Sequence, residues 1–234
     1  MHRGRRRRGR REKEPRYYEL YAYVLDYLPL GNPIDRHPAH RNRPVVQLIG
    51  EDYFMLLEAT PRPNASLSLK ERVYVGPEKE LRLKIQRIDT AITYDDLTSV
   101  ARDTLNEVLE EIIKAKEKVF VEFFNIAGPI TLRMHSLELL PGVGKKTLMK
   151  ILKQRETRPF ESFEDIRERV NIDPVKAIKE RIIAELKGGE KYYLFVKPPR
   201  RPGPQAVQPL YLRYLERIYQ KLGMGRGGAE GQAT

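Results

Sequence analysis

Cysteine is absent from the 234 residues, which excludes disulfides, thiolate zinc sites and cysteine nucleophiles at once. That composition fits a reducing cytoplasm. No apolar run approaches the roughly 18 to 20 residues that a bilayer span needs. The arginine-rich start also lacks the apolar stretch of a secretory signal. A soluble, cytoplasmic protein with no membrane partner is the expectation. No Walker loop, zinc-deaminase signature or Ser/His/Asp pattern appears, so no cofactor and no enzyme class is indicated. Seventeen prolines, many charged residues and the missing cysteine together follow the compositional tendency of thermophiles.

What the chain has in excess is positive charge: a formal net +12 and a pI near 9.8, which attract polyanions. Half of that excess lies in the first fourteen residues, where seven arginines, Arg5, Arg6, Arg7 and Arg8 among them, and Lys13 face only Glu12 and Glu14. Residues 1–16 read as a disordered basic arm that orders on a polyanion, with a merely solvating tail as the alternative. The glycine-rich residues 223–234 read as a disordered tail.

Between these ends the fold class reads as α+β. Residues 17–92 alternate short apolar runs with Pro, Gly and Asn breaks, the habit of a small antiparallel β domain. The expected strands are Tyr18–Tyr27, Val45–Ile49, Tyr53–Glu58, Arg72–Val75 and Leu81–Ile88, with a hairpin turn at Gly50-Glu51-Asp52. Five short strands fit a partly open barrel of the oligonucleotide-binding (OB) type. The period then changes to 3.6: Leu105, Val108, Leu109, Ile112 and Ile113 predict a connecting helix from about Thr98 to Lys118 within residues 93–129. Residues 130–188 read as two helical hairpins. Ile130, Met134 and Leu137 lead into a glycine turn in the first, and Phe163, Ile166 and Val170 into the turn Asn171-Ile172-Asp173-Pro174 in the second. In residues 189–222, Lys191–Val196 predicts a strand on an edge of the β domain, and Tyr211, Leu215, Ile218 and Leu222 a short amphipathic helix.

The most informative segment is Leu139-Leu140-Pro141-Gly142-Val143-Gly144-Lys145-Lys146-Thr147. Gly142 and Gly144 can take positive φ, Val143 is placed to wedge inward, and the amides from Gly144 onward open a helix whose dipole favours an anion. Lys145 and Lys146 then sit where a cation is disfavoured unless an anion is close. Gly142, Val143, Gly144, Lys145, Lys146 and Thr147 are therefore the candidate phosphate grip. A plain tight turn with solvated lysines is the alternative. In the second turn Asp173 fills the anion position, so that hairpin is expected to be structural.

A second basic contact is expected in the loop between the first two strands, at Arg36, His37, Arg41 and Arg43, where an OB barrel often binds its ligand. A metal site from Asp35, His37 and His40 has too few ligands to be favoured over a basic loop. Tyr21, Tyr23 and Tyr27 alternate with apolar residues and could stack bases or be ordinary half-buried sheet residues.

With its tyrosine-rich Tyr17–Pro29 stretch and the glycine hairpin, the chain from about Pro15 to Leu222 resembles an archaeal family of conserved proteins of no assigned function, built from an OB-type β domain and a tandem helix-hairpin-helix module. The resemblance implies nucleic-acid binding without established catalysis. DNA glycosylases carry a similar Pro-Gly-Val-Gly-x-Lys-Thr turn; there Lys146 would attack a sugar, with an acid near Glu164 or Asp165. Their larger all-helical surroundings and iron–sulfur cysteines are lacking. The resulting expectation is a non-enzymatic nucleic-acid-binding protein. RNA, such as the ribosome or another ribonucleoprotein, is favoured over DNA. A DNA repair or recombination factor and a protein–protein adaptor are the alternatives.

Overall fold

Alternating residues of the N-terminal third form one curled, half-barrel antiparallel sheet in a computed structural model, which describes residues 19–33, 38–198 and 209–224. Its strands are β1 (Tyr21–Leu28), β2 (Val45–Gly50), β3 (Leu56–Pro61), β4 (Arg72–Tyr74) and β5 (Ile85–Ala91), in the order β4-β1-β2-β3-β5. All five expected strands are present, with β3 and β5 starting a few residues later than the apolar pattern suggests. A bulge between Val24 and Asp26 shifts the register of β1 on β2, which lets both Val24 and Leu25 point into the core.

The turn between β2 and β3 is organised from outside itself. Phe54 is left-handed, with φ of 55°, and the amides around it are gathered by the buried carboxyl group of Glu19, whose oxygens accept from Asp52 (2.9 Å), Tyr53 (3.0 Å) and Met55 (3.0 Å). Gly50 makes this approach possible. A Cβ there would lie 1.9 Å from the Glu19 carboxyl carbon.

Six helices among the described residues complete the fold: α1 (Ser99–Ala115), α2 (Glu117–Ile126), α3 (Lys145–Thr157), α4 (Phe163–Val170), α5 (Pro174–Lys187) and α6 (Tyr214–Lys221). The single long helix expected from Thr98 to Lys118 is broken at Lys116 (φ −104°, ψ 30°). There the side chain turns inward to pair with Asp52, and the chain resumes from Glu117 as α2. Thr98 caps α1 by accepting the amide of Ala101 at 3.0 Å. Apolar residues of the sheet and the helices form one continuous core. Its aromatic spine runs from Phe54 through Phe120 and Phe123 of α2 to Phe195 and Tyr214, in edge or tilted contacts of 4.9 to 6.3 Å.

Two further expectations are corrected. The helix predicted to lead into the glycine turn is instead a small hairpin, β6 (Pro129–Thr131) and β7 (Met134–His135), followed by one 3-10 turn over Ser136–Leu139. Proline opens the segment, and Ser136 is tied back to the Gly128 carbonyl through its amide (3.0 Å) and hydroxyl (2.7 Å), so the helical spacing of Ile130 and Met134 is overridden. The strand predicted at Lys191–Val196 does not join the sheet. Only β8 (Tyr192–Tyr193) pairs, in parallel with β9 (Leu210–Tyr211), because the buried Glu185 of α5 takes the next three amides, Leu194, Phe195 and Val196, at 2.7 to 3.0 Å.

Candidate nucleic-acid interface

The turn before α3 follows from its residue types. Leu140 and Val143 are buried, and the Val143 amide closes a tight turn onto the Leu140 carbonyl at 3.1 Å. Gly142 takes the left-handed φ of 83° that this turn requires. Gly144 does not share it. Its φ of −84° and ψ of −179° are extended, the ordinary geometry of a helix N-cap. A Cβ added at either glycine would meet nothing within 4 Å, so the corner opens to solvent.

The N-cap position of α3 supplies no side-chain bond. The amides of Gly144, Lys145, Lys146 and Thr147 have no acceptor among the described residues, the first intrahelical bond being Leu148 N to Gly144 O. Its neighbours differ. Ser162 caps α4 through the Asp165 amide at 3.0 Å, and Asp173 caps α5 through the Lys176 amide at 3.1 Å. Of the two helix starts, that of α5 is filled by a carboxylate and that of α3 is open.

The two lysines are not equivalent. Lys145 reaches back to Glu138 (2.7 Å) and to the carbonyl of Arg133 (3.1 Å). That hydrogen bond, with a second from the His135 amide, holds the Glu138 carboxyl below its usual range. Lys146 is exposed and has no partner among the described residues. From Lys146 the spacing i, i+4, i+7 places Lys150 and Lys153 on the same face of α3. Both are exposed, and Lys150 donates to the Val170 carbonyl at 3.2 Å. Sequence reasoning stopped at Thr147 and missed this stripe, although its helical spacing is plain. Arg155 fixes the helix from its other side by donating to the carbonyls of Phe124 and Ala127, at 3.0 and 2.8 Å.

The second expected contact is only partly in view. Arg5, Arg6, Arg7, Arg8, Arg36 and His37 lie outside the described residues, as does Asp35. Arg41 and Arg43 are exposed on the approach to β2. His40 is buried, with Nδ1 3.0 Å from Glu58 and Nε2 3.6 Å from Asp89. It is thus a core histidine held between two carboxylates. Among the described residues no cluster could hold a metal ion. Tyr21 does not offer a bare ring: the Arg72 guanidinium lies 3.5 Å from its centroid and is fixed by a two-point bond to Glu51. Tyr23 and Tyr27 pack partly buried against the core.

A family model described as a protein of unknown function, DUF655, matches residues 18–197. The chain belongs to the DUF655 family. It is 45% identical over 189 residues to the uncharacterized protein MJ0038 of Methanocaldococcus jannaschii, covering 80% of this chain and 84% of that one. It is also similar to the crystal structure of Af1531 from Archaeoglobus fulgidus, with a TM-score of 0.68 and 47% identity over 76% of this chain and all of the other. The DUF655 match takes in the sheet, the open turn and α3 to α5, and leaves the arginine arm and α6 outside. Within it, a cleft of about 160 Å³ between Met55, Ile92, Leu186 and Lys197 is smaller than the roughly 300 Å³ at which small-molecule sites begin. Among the described residues no helix is long and apolar enough to cross a membrane.

Proposed function

We propose that this chain binds nucleic acid by its sugar-phosphate backbone, without catalysis, and that RNA is the preferred polymer. The observation that carries the reading is the contrast between helix starts: α4 and α5 are capped by their own side chains, whereas α3 begins with open amides beside Lys146 and the lysine stripe. Backbone amides at a helix start suit a phosphate oxygen, and cations on the same helix suit its neighbours along the strand. Such contacts position a polymer without reading its bases. The strand order β4-β1-β2-β3 is a Greek key, and from it and the added β5 we read an OB-type barrel. The Gly142 turn we read as a helix-hairpin-helix whose first helix is reduced to one 3-10 turn.

The DNA-lyase alternative needs an acid free to assist Lys146. Asp165 is instead bonded to Arg158 (2.9 Å) and Arg169 (2.8 Å), and against the upward push of burial these partners keep its carboxyl below the usual range. Glu164 is paired with Arg167.

Gly144→Asp tests the reading cleanly. The backbone there already suits a cap, so the variant should be as stable as the wild type or more stable by a few tenths of a kcal/mol, roughly what separates Asp from Gly at such positions. It should nonetheless lose at least about tenfold in RNA affinity, since its carboxylate occupies the phosphate position. Unchanged affinity at unchanged stability, or binding indifferent to salt, would refute the grip. Borohydride trapping of Lys146 on abasic-site DNA would refute the non-catalytic part.

A further inference from the structure

The β6–β7 hairpin ends in a two-residue turn, Leu132-Arg133, between the paired Thr131 and Met134. Tight turns of this length favour Asn, Asp or Gly, and neither Leu132 nor Arg133 has the positive φ that such turns use. Local turn chemistry would not select a leucine here, and Leu132 is fully exposed, so core packing does not select it either. Its neighbours give the position meaning. The Arg133 carbonyl accepts the Lys145 ammonium at 3.1 Å, which holds the tip against the first turn of α3. The Arg133 amide donates to the Thr131 hydroxyl at 3.3 Å. The base of the hairpin is pinned by Ser136, itself bonded to Tyr214 of α6 at 2.9 Å. Met134 is partly exposed, and Met149, one helical turn beyond Lys145, is exposed on the same face of α3.

A firmly held apolar point thus stands next to Arg133 and, through the bond of Lys145 to the Arg133 carbonyl, against the first turn of α3 with its open amides. Charge complementarity commits the occupant to a polyanion, and the leucine commits it to a polyanion with apolar surface to offer, which is an unstacked base. We infer that Leu132 is a wedge that enters the stack next to the phosphate held at α3, so that the protein selects nucleic acid with an unpaired or easily opened step over regular duplex. This inference rests on the backbone-grip reading. An apolar side chain that enters between base steps costs unstacking, a cost that is smallest where the base is already unpaired, and in RNA such positions are bulges and loop edges.

The test compares a regular 20-base-pair duplex with the same duplex carrying one bulged nucleotide, in RNA and in DNA forms, using full-length protein. The wild type should bind the bulged RNA at least about tenfold more tightly than the regular one. A 2-aminopurine beside the bulge should change fluorescence on binding. Leu132→Ser, at a fully exposed position, should keep regular-duplex affinity while losing both the preference and the fluorescence change; Gly144→Asp should weaken binding to both duplexes. A preference that survives Leu132→Ser, or equal wild-type affinity for the two duplexes with Gly144→Asp still impaired, overturns the wedge alone. No binding by the wild type overturns wedge and grip together. A preference confined to the DNA pair supports the wedge and moves its substrate from RNA to DNA.

Discussion

Lys145 is held by Glu138, with Nζ 2.7 Å from the carboxylate, so one of the two cations at the open turn is neutralised within the protein. Glu138→Gln should free it. The expected result is tighter RNA binding and a steeper dependence of log K on log salt, by roughly the 0.7 to 0.9 unit that one further phosphate contact contributes. Titrations at several salt concentrations measure both. An unchanged slope would mean that Lys145 stays folded back on the Arg133 carbonyl.

At the second turn the carboxylate of Asp173 stands where a phosphate would sit, accepting the Lys176 amide at 3.1 Å. Asp173→Gly should cost only a few tenths of a kcal/mol of stability and raise RNA affinity about two- to fivefold by removing a negative charge from a helix start. Chemical denaturation and binding assays on the same preparation would show the two effects with opposite sign.

Glu19 predicts a pH dependence of stability. Burial, reinforced by the nearby Asp52, pushes its carboxyl from the ordinary 4.5 up to about 8, against the pull of the Met55 and Asp52 amides and of Lys116. The folded protein therefore keeps a proton that the unfolded chain releases. The stability attached to that proton is complete below about pH 4.5 and declines as pH rises through 8, with a slope of at most about 1.4 kcal/mol per pH unit. Urea melts between pH 5 and 8 should show the decline in the wild type. In Glu19→Gln the slope should flatten, from a lower starting stability because an acceptor for the turn amides is lost.

Phe123 is fully buried and touches Phe124, Phe195 and Tyr214 edge-on, at 5.9, 4.9 and 5.0 Å. Phe123→Ala should destabilise by about 3 to 5 kcal/mol. Because its contacts join α2 to the chain after α5 and to α6, the loss should appear as one earlier cooperative transition by both fluorescence and circular dichroism.

Local chemistry made parts of this fold legible in advance. The five strands follow from apolar runs closed by Gly, Pro and Asn, and the Gly142 turn from the run Leu140 to Val143, whose members act on their immediate neighbours. What stayed hidden depends on distant partners. The break between α1 and α2 is set by Lys116 reaching Asp52, 64 residues away in sequence, and no periodicity reports that. The strand expected after Gly189 is shortened by Glu185, a residue that reads as one more charge on an amphipathic helix until its burial is seen. The β6–β7 hairpin was hidden for the opposite reason: Leu132-Arg133 carries no turn residue, so Ile130, Met134 and Leu137 look like a helical face.

Tyr214 donates to Ser136, and its hydroxyl accepts the Gly128 amide at 3.1 Å, which means that α6 braces the segment leading to the Gly142 turn although it lies beyond the family match at residue 197. A fragment trimmed to the matched region would carry the α3 amides and lysines proposed to hold the polymer and still have lost the strut that aims them. Weak binding by such a fragment would measure the missing buttress and the missing arginine arm together, and the intact chain is the material on which affinity should be judged.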